Sequence, residues 1–478
     1  MKPIVNILIF AVILCALSSA WAQSAGQDRQ GQDMLAGSTE QGSQQRLLLG
    51  GVPSGSPSPQ VLPLSLKNAV DRGLRYNLGI ILGQQSILAA QSSRLRTLSN
   101  LLPHVSTQTS EMVEQENLAS LGFSGFPGIP PVIGPFAVFD VRTYFSQKLS
   151  LSTLNEVRAG TENLKAAEQT YKNTRDLVAL ACLQLYMQAV AGGSRVEANQ
   201  AQLKTAKVLY DLAVNRREAG FIPGIEVLRA QVQMQAQQQR LIVAGNDLAK
   251  QKLNLAQAIG LPLGQEFQLS DQIPYTPLAP IALDEVLQDA YRNRGDYQSA
   301  MAKVKGAEDS RMAAIRQKAP SMDIDANYGV NGQRPFMSHG SFLVAMSLRI
   351  PIFQGRETES RVMAADAQLD QQKAELESLR ARIYYEIRTV FLDLKSSEDR
   401  VQVAKSNLDL VNEQVAQAQD RFAAGVASNI EVVQAQDALA VATEDYLSSL
   451  YAHNIAKANL AAAMGMAESG YEKILRIK

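Results

Sequence analysis

Two stretches of this chain are copies of one another, and that duplication limits the fold more than any other feature. Glu218 to Gln231 reads EAGFIPGIEVLRAQ, and Ala423 to Gln436 reads AAGVASNIEVVQAQ. At a shift of 205 residues, 14 of the 45 positions from 216 to 260 match positions 421 to 465, including Gly220/Gly425, Glu226/Glu431 and Gly260/Gly465. Upstream, a shift of 217 pairs Leu66/Leu283, Arg75/Arg292 and Pro103/Pro320. A chain built from two such units places equivalent elements in equivalent surroundings, so each copy constrains the reading of the other.

Each copy predicts one order of elements. A helix of about 38 residues is followed by two alternating segments around a loop, then a helix of nearly 70, a glycine-marked break, and another helix of about 38. At 1.5 Å per residue the long helix reaches roughly 100 Å, and the two shorter ones end to end reach about the same. The expected divisions are a first repeat at 61–265, an equatorial linker at 266–280, a second repeat at 281–466 and a C-terminal segment at 467–478.

The second long helix carries a heptad. Ile387, Leu394, Val401, Leu408, Val415 and Phe422 fall seven apart, and Ile383, Val390, Ala404, Val411 and Ala418 interleave, with Ser397 the polar exception. A sustained seven-residue repeat predicts left-handed supercoiling with knobs-into-holes packing. So narrow a stripe suits a sheath of helices wet on their other faces. Residues 177–194 have no charge and are long enough to span a bilayer. Their counterpart at 382–399 holds Arg382, Glu386, Arg388, Asp393, Lys395, Glu398 and Asp399, so the segment reads as an inter-helix seam.

The alternating segments follow Pro103 and Pro320, which disfavour helix at the preceding residue. In 321–331, Met322, Ile324, Ala326, Tyr328 and Val330 oppose Asp323, Asp325 and Asn327. In 341–352, Phe342, Val344, Met346, Leu348, Ile350 and Ile352 oppose Ser341, Ser347 and Arg349. In 138–151, Phe139, Val141, Phe145, Leu149 and Leu151 oppose Asp140, Arg142, Ser146 and Lys148. The segment from Val105 to Ser110 is the least regular. Short strands apolar on one face and charged on the other are the signature of a transmembrane β-barrel, and also of a half-buried soluble sheet. On the barrel reading, Asp140, Arg142, Lys148, Asp323, Asp325 and Arg349 line the pore. Four strands are too few to close a barrel, and open edges in lipid leave backbone groups unpaired, so several chains must share one.

The N-terminus fits a secreted protein. Lys2 precedes an apolar run to Leu17, and Ala20-Trp21-Ala22 reads as a signal-peptide cleavage site closing 1–22. Lipid attachment at Cys15 is the alternative, opposed by Leu14 where a small residue is needed. Cleavage after Ala22 leaves one thiol, Cys182, so packing rather than disulfides stabilises the chain. Residues 23–60, rich in Gln, Gly, Ser and Pro, read as a disordered arm. The formal net charge is zero, which offers no field to nucleic acid.

No catalytic constellation is visible. His104, His339 and His453 are scattered, and no metal-spaced cluster or phosphate loop occurs, so the reading is of a non-enzyme without cofactor or metal. A soluble periplasmic coiled-coil adaptor or structural rod is the rival reading.

The segments LSLKNAVDRGLRYNLGI at 64–80, IALDEVLQDAYRNRGDY at 281–297 and LRIPIFQGRETES at 348–360, with the two glycine breaks and LNLAQAIGLP at 253–262, resemble the TolC family of outer-membrane efflux and secretion channels. The resemblance implies a membrane α+β fold. A homotrimer gives four strands per chain to a twelve-stranded transmembrane β-barrel, continued by a long periplasmic α-helical barrel. It implies a passive exit duct in the outer membrane of a Gram-negative-type bacterium, docked to a periplasmic adaptor and an inner-membrane pump. It also implies a belt from residues near 261–280 and the C-terminus. Gly220 and Gly425 would mark two tips at the periplasmic gate, with Glu226 and Glu431 as acidic groups near its mouth. The family pattern is not met at Ala427, where some members carry arginine, nor at Gln434, where some carry a second acid. Read from the residues alone, Ser428 and Glu431 form a capping box, Glu226 favours a helix dipole, and the two glycines are helix stops. The loop at about 112–136 is rich in Gly, Pro and Phe, and folds over the barrel mouth or lies on the surface.

Overall fold

The computed structural model describes residues 50–122, 128, 130–271, 275–277, 281–426 and 429–475. The signal segment, the arm up to residue 49, Ala427 and Ser428 lie outside them, as does part of the first loop.

The elements run in one order twice. The first half holds β1 (Leu62–Leu64), α1 (Leu66–Tyr76), α2 (Leu78–Ser99), β2 (His104–Asn117), β3 (Val132–Ser150), α3 (Leu151–Glu218) and α4 (Gly224–Ala258). After β4 (Phe267–Leu269), the second half holds α5 (Leu283–Asn293), α6 (Gly295–Arg316), β5 (Ser321–Gly332), β6 (Ser338–Arg349), α7 (Glu357–Ala423) and α8 (Asn429–Ala463). A short α9 (Tyr471–Leu475) follows. Helices α3 and α7, of 68 and 67 residues, each pack against a shorter helix that follows their glycine break.

The sheet is antiparallel in the order β2-β3-β5-β6. β2 and β3 extend beyond the 112–136 boundary expected for the loop: Met112 pairs with Val138 and Asn117 with Val132. Gly and Pro in this stretch suggested a loop, but backbone pairing continues past a bulge between Glu114 and Glu116. The connection shrinks to 118–131. β6 ends earlier than expected, leaving Ile350 and Ile352 beyond the last pair at Arg349, because Pro351 has no N–H to donate.

Each first helix is split in two. Asn77 (φ −69°, ψ 136°) separates α1 from α2, and Arg294 (φ −63°, ψ 121°) separates α5 from α6. The two breaks obey the shift of 217. Neither break residue is itself a proline or glycine, which is why the pattern predicted one continuous helix.

The largest core sits at the waist. Leu64, Leu66 and Val70 pack on Val178, Cys182, Leu183 and Tyr186 of α3 and on Leu255 and Ile259. The uncharged segment 177–194 is therefore the apolar spine of this core. Burial pushes the Cys182 thiol up to about 12, which keeps it protonated. A second cluster joins Val286, Ala290, Ile383, Ile387 and Leu460. On α7 the seam residues Ile383, Ile387, Leu394, Val401, Val411, Val415, Ala418 and Phe422 are buried, and Ser397 is buried with them. Its hydroxyl donates to Leu394 O at 2.8 Å.

Residues 50–60, expected in the disordered arm, are instead docked at the waist. Val52 N donates to Tyr76 O at 2.8 Å, Leu78 N to Gly50 O at 2.8 Å and Ser54 N to Gly260 O at 3.3 Å. Backbone bonds hold this segment, and side-chain composition does not report them.

Candidate functional site

Strand register places all six proposed pore charges on one face. Asp140 pairs with Asn331, Arg142 with Gly329 and Lys148 with Asp323; Asp325 pairs with Ser146, and Ser321 with both Ser150 and Arg349. Residues directly opposite share a face in an antiparallel ladder. Arg142 braces three strands: Nη1 donates to Asn327 Oδ1 at 2.8 Å, Nη2 to Ser341 Oγ at 3.2 Å, and Nε lies 3.3 Å from Asp140. Gly329 opposite it makes this possible, since a Cβ there would sit 2.8 Å from Arg142 Cα. Arg349 lies 3.9 Å from Asp323.

The opposite face carries Val141, Phe145 and Leu149, then Met322, Ile324 and Tyr328, then Phe342, Val344, Met346 and Leu348. It is bare: Phe342 is 77%, Val344 70%, Met346 69% and Leu348 65% exposed. β2 and β6 each pair on one side only among the described residues. A soluble protein does not leave such an apolar sheet face and two open edges to water.

The tips are two copies of one turn. After α3, Gly220 (φ +77°) donates to Arg217 O at 2.9 Å and Phe221 N to Arg216 O at 2.8 Å. After α7, Gly425 (φ +75°) donates to Phe422 O at 3.1 Å and Val426 N to Arg421 O at 3.1 Å. Both are Schellman stops, and the left-handed φ selects glycine. The acids differ in their partners. Glu226 pairs with Arg229 of its own helix at 2.6 Å, whereas Glu431 reaches across the turn to Arg421 at 3.4 Å. The expected Ser428 capping box lies outside the described residues. Gln434 is exposed on a groove shared with Ile225, Leu228, Val232 and Ile430.

Bonds between the two hairpins were not anticipated from sequence. Arg216 donates to Phe422 O at 3.1 Å and Ala423 O at 3.2 Å, closing the C-terminus of α7, and its guanidinium stacks 4.7 Å from the Phe422 ring. Asp437 accepts from Gln233 at 3.0 Å and Arg240 at 3.2 Å, and Arg195 pairs with Glu444 at 2.7 Å. Arg216 was visible because it matches Arg421 at the 205-residue shift; Asp437 and Glu444 do not match Val232 and Gln239 at that shift and so gave no signal.

A family profile described as "Outer membrane efflux protein" matches residues 141–261 and 286–466, more than half of the chain. The chain belongs to the outer membrane efflux protein family. Among curated relatives, the probable efflux pump outer membrane protein TtgC of Pseudomonas putida is 23% identical over 317 residues, covering 64% of this chain and 63% of its own length. The alkaline protease secretion protein AprF of Pseudomonas aeruginosa is 20% identical over 321 residues, covering 63% of this chain and 64% of its own. The match thus spans a little under two thirds of each relative. The CmeC outer membrane channel of Campylobacter jejuni shares the fold, with a TM-score of 0.73 at 16% identity, covering 90% of this chain and 94% of CmeC.

Proposed function

We propose that this chain is the passive exit duct of a tripartite efflux pump or type I secretion system, set in the outer membrane and reaching into the periplasm. Three copies close one twelve-stranded barrel by pairing β2 of one copy with β6 of the next. The paired hairpins of each copy continue as the helical tunnel. The observation that carries this reading is the sheet: one bare apolar face, one charged face and two unpaired edges are what a shared barrel in lipid needs. The matched order of elements is read as a duplication that supplies two tips per chain and six per ring. The segment 266–280 and the C-terminal segment form the belt.

The duct carries no chemistry of its own; an adaptor and an inner-membrane pump supply selectivity and energy. TtgC and AprF divide by name between efflux and protease secretion, and the duct role is common to both. At the periplasmic end, Glu226 and Glu431 lie close to the mouth on helix starts, where rings of carboxylates favour cations. Asp140, Arg142, Lys148, Asp323, Asp325 and Arg349 line the barrel. The interhairpin contacts through Arg216, Asp437 and Glu444 help to hold the hairpins together in the resting state.

The test is insertion. Protein extracted from outer membranes in detergent is expected to conduct in planar bilayers. Leu348→Asp places an acid on the lipid face, one residue from the end of β6, at a cost of up to about 1 kcal/mol per chain, and is expected to lower the yield of assembled channels. Full yield of conducting Leu348→Asp channels would put that face in water and remove the barrel.

A further inference from the structure

Between the waist and the sheet, four helices stand side by side in the order α2-α3-α6-α7, each packed on the next. The strands they adjoin run β2-β3-β5-β6, so helices and strands keep one order and leave open edges on the same two sides. At this level the middle helices α3 and α6 are covered from both sides. Among the described residues, the edge helices α2 and α7 are covered from one.

Each edge helix carries two opposite seams. On α2 the inner seam is Ile80, Gly83, Ile87, Ala90 and Arg94, spaced by threes and fours. Ile80 is buried in the waist core, a Cβ at Gly83 would stand 2.9 Å from the Tyr171 ring of α3, and Arg94 Nε donates to Thr161 Oγ1 of α3 at 3.0 Å. The far side carries Leu82, Leu88 and Leu95, continued past the helix end by Leu102, and all four are 45–52% exposed. On α7 the inner seam holds buried Leu369 and Leu379, beside Asp366, which pairs with Arg311 of α6. Its far side presents Ala364, Ala367, Ala374 and Ala381, all exposed. In the link from β6 to α7, Ile352 and Phe353 are 97% and 85% exposed.

We propose that α2 of one copy packs against α7 of the next, leucines onto alanines, and that this helical seam supplies the apolar driving force for assembly. The proposal rests on the shared-barrel reading, which sets the order of the copies. A second copy is the occupant because the two faces fit each other. One row is large and the other small, which lets knobs interlock and backbones approach. The charges agree in sign: residues 78–99 hold two arginines and no acid, a net of +2, while 357–378 hold six acids and two bases, a net of −4. The levels agree as well. Counted from the sheet, Leu88 lies eleven residues below Ser99 and Ala367 ten below Glu357, and Leu82 and Ala374 each lie seventeen below. The seam stands in water, where burying leucine is favourable. Between copies in lipid that force is absent, because the tails are as apolar as the side chains. The strands close the barrel, and the helices draw the copies together.

Disulfide trapping and native mass measurement of the full-length, detergent-solubilised protein test this. Leu88→Cys is combined in turn with Ala364→Cys, Ala367→Cys or Gln371→Cys, which covers a shift of one helical turn either way. At least one pair is expected to give a covalent ladder ending at three chains, since Cα atoms within about 7 Å can be bridged. The single variants are expected to give none, Cys182 being wholly buried. Leu88→Glu, at a site half exposed within one copy, is expected to keep the helix content and shift the particle to single chains. No ladder from any pair in three-chain particles, or full yield of three-chain Leu88→Glu particles, overturns the seam and leaves the duct standing. Single-copy mass for the unaltered protein removes the duct and the seam together.

Discussion

The two halves of this chain meet the same backbone problem at the waist with different chemistry. At the first break, Asn77 is buried and neutral. Its Oδ1 accepts from Gly79 N at 2.8 Å to cap α2, and its Nδ2 donates to Ala258 O at 3.4 Å, the end of α4. At the second break, Arg294 forks onto Asp296 at 2.8 Å, reaches Glu386 at 2.9 Å and donates to Ala463 O at 3.3 Å, the end of α8. Ala258 and Ala463 are themselves related by the 205-residue shift. In both halves the break residue thus closes the C-terminus of its own short helix. The glycines two residues on permit the approach; at Gly465 a Cβ would stand 2.7 Å from Arg294 Cα. The contrast shows that the backbone arrangement is the shared element and that polar groups are interchangeable around it. The first half stabilises it with the larger apolar core, the second with a smaller core and an ion-pair cluster.

That contrast predicts unequal sensitivity. Arg294→Ala removes the main partner of Asp296, which keeps Tyr297 N at 2.8 Å, and of partly exposed Glu386, and is expected to destabilise the second half by about 3 kcal/mol, read as a fall in the denaturation midpoint of the solubilised protein. Asn77→Ala removes the cap on Gly79 N and the bond to Ala258 O, and is expected to cost about 1 kcal/mol in the same assay. Equal losses would show that the apolar core does not compensate in the first half. Acid separates the halves further. Burial works to raise the Asp296 carboxyl, but the Arg294 bonds outweigh it and hold the group below its ordinary value of 3.8. Its contribution is therefore complete above that value and lost as pH falls through the lowered one. Local exchange of α5 and α6 is expected to rise there before that of α1 and α2, and Arg294→Ala removes the difference. The smallest effects lie at the tips. Glu226→Gln and Glu431→Gln each remove an exposed or half-exposed pair contributing less than about 1 kcal/mol. Both are expected to lower cation selectivity in bilayer recordings; the Glu431 change alone frees Arg421 across the turn and loosens that tip.

Legibility in the sequence followed the range of the interactions. Strand alternation and the α7 heptad are local patterns set by burial, and they located the sheet faces and the seam residue by residue. The ladder extension at 111–117, the docking of 50–60 and the Asn77 and Arg294 breaks depend on backbone partners far along the chain. No local signal carries those. The tip glycines were legible because a left-handed φ leaves few other choices. Asp437 and Glu444 were not, because neither matches the residue 205 positions before it, and a search for matches passes over such positions.

The central claim is that one sheet of four strands is a fraction of a barrel. Native mass measurement of the detergent-solubilised particle tests it most directly. Three chains per particle, stable only in detergent or lipid, is the predicted result. A monodisperse single copy in buffer without detergent would contradict it.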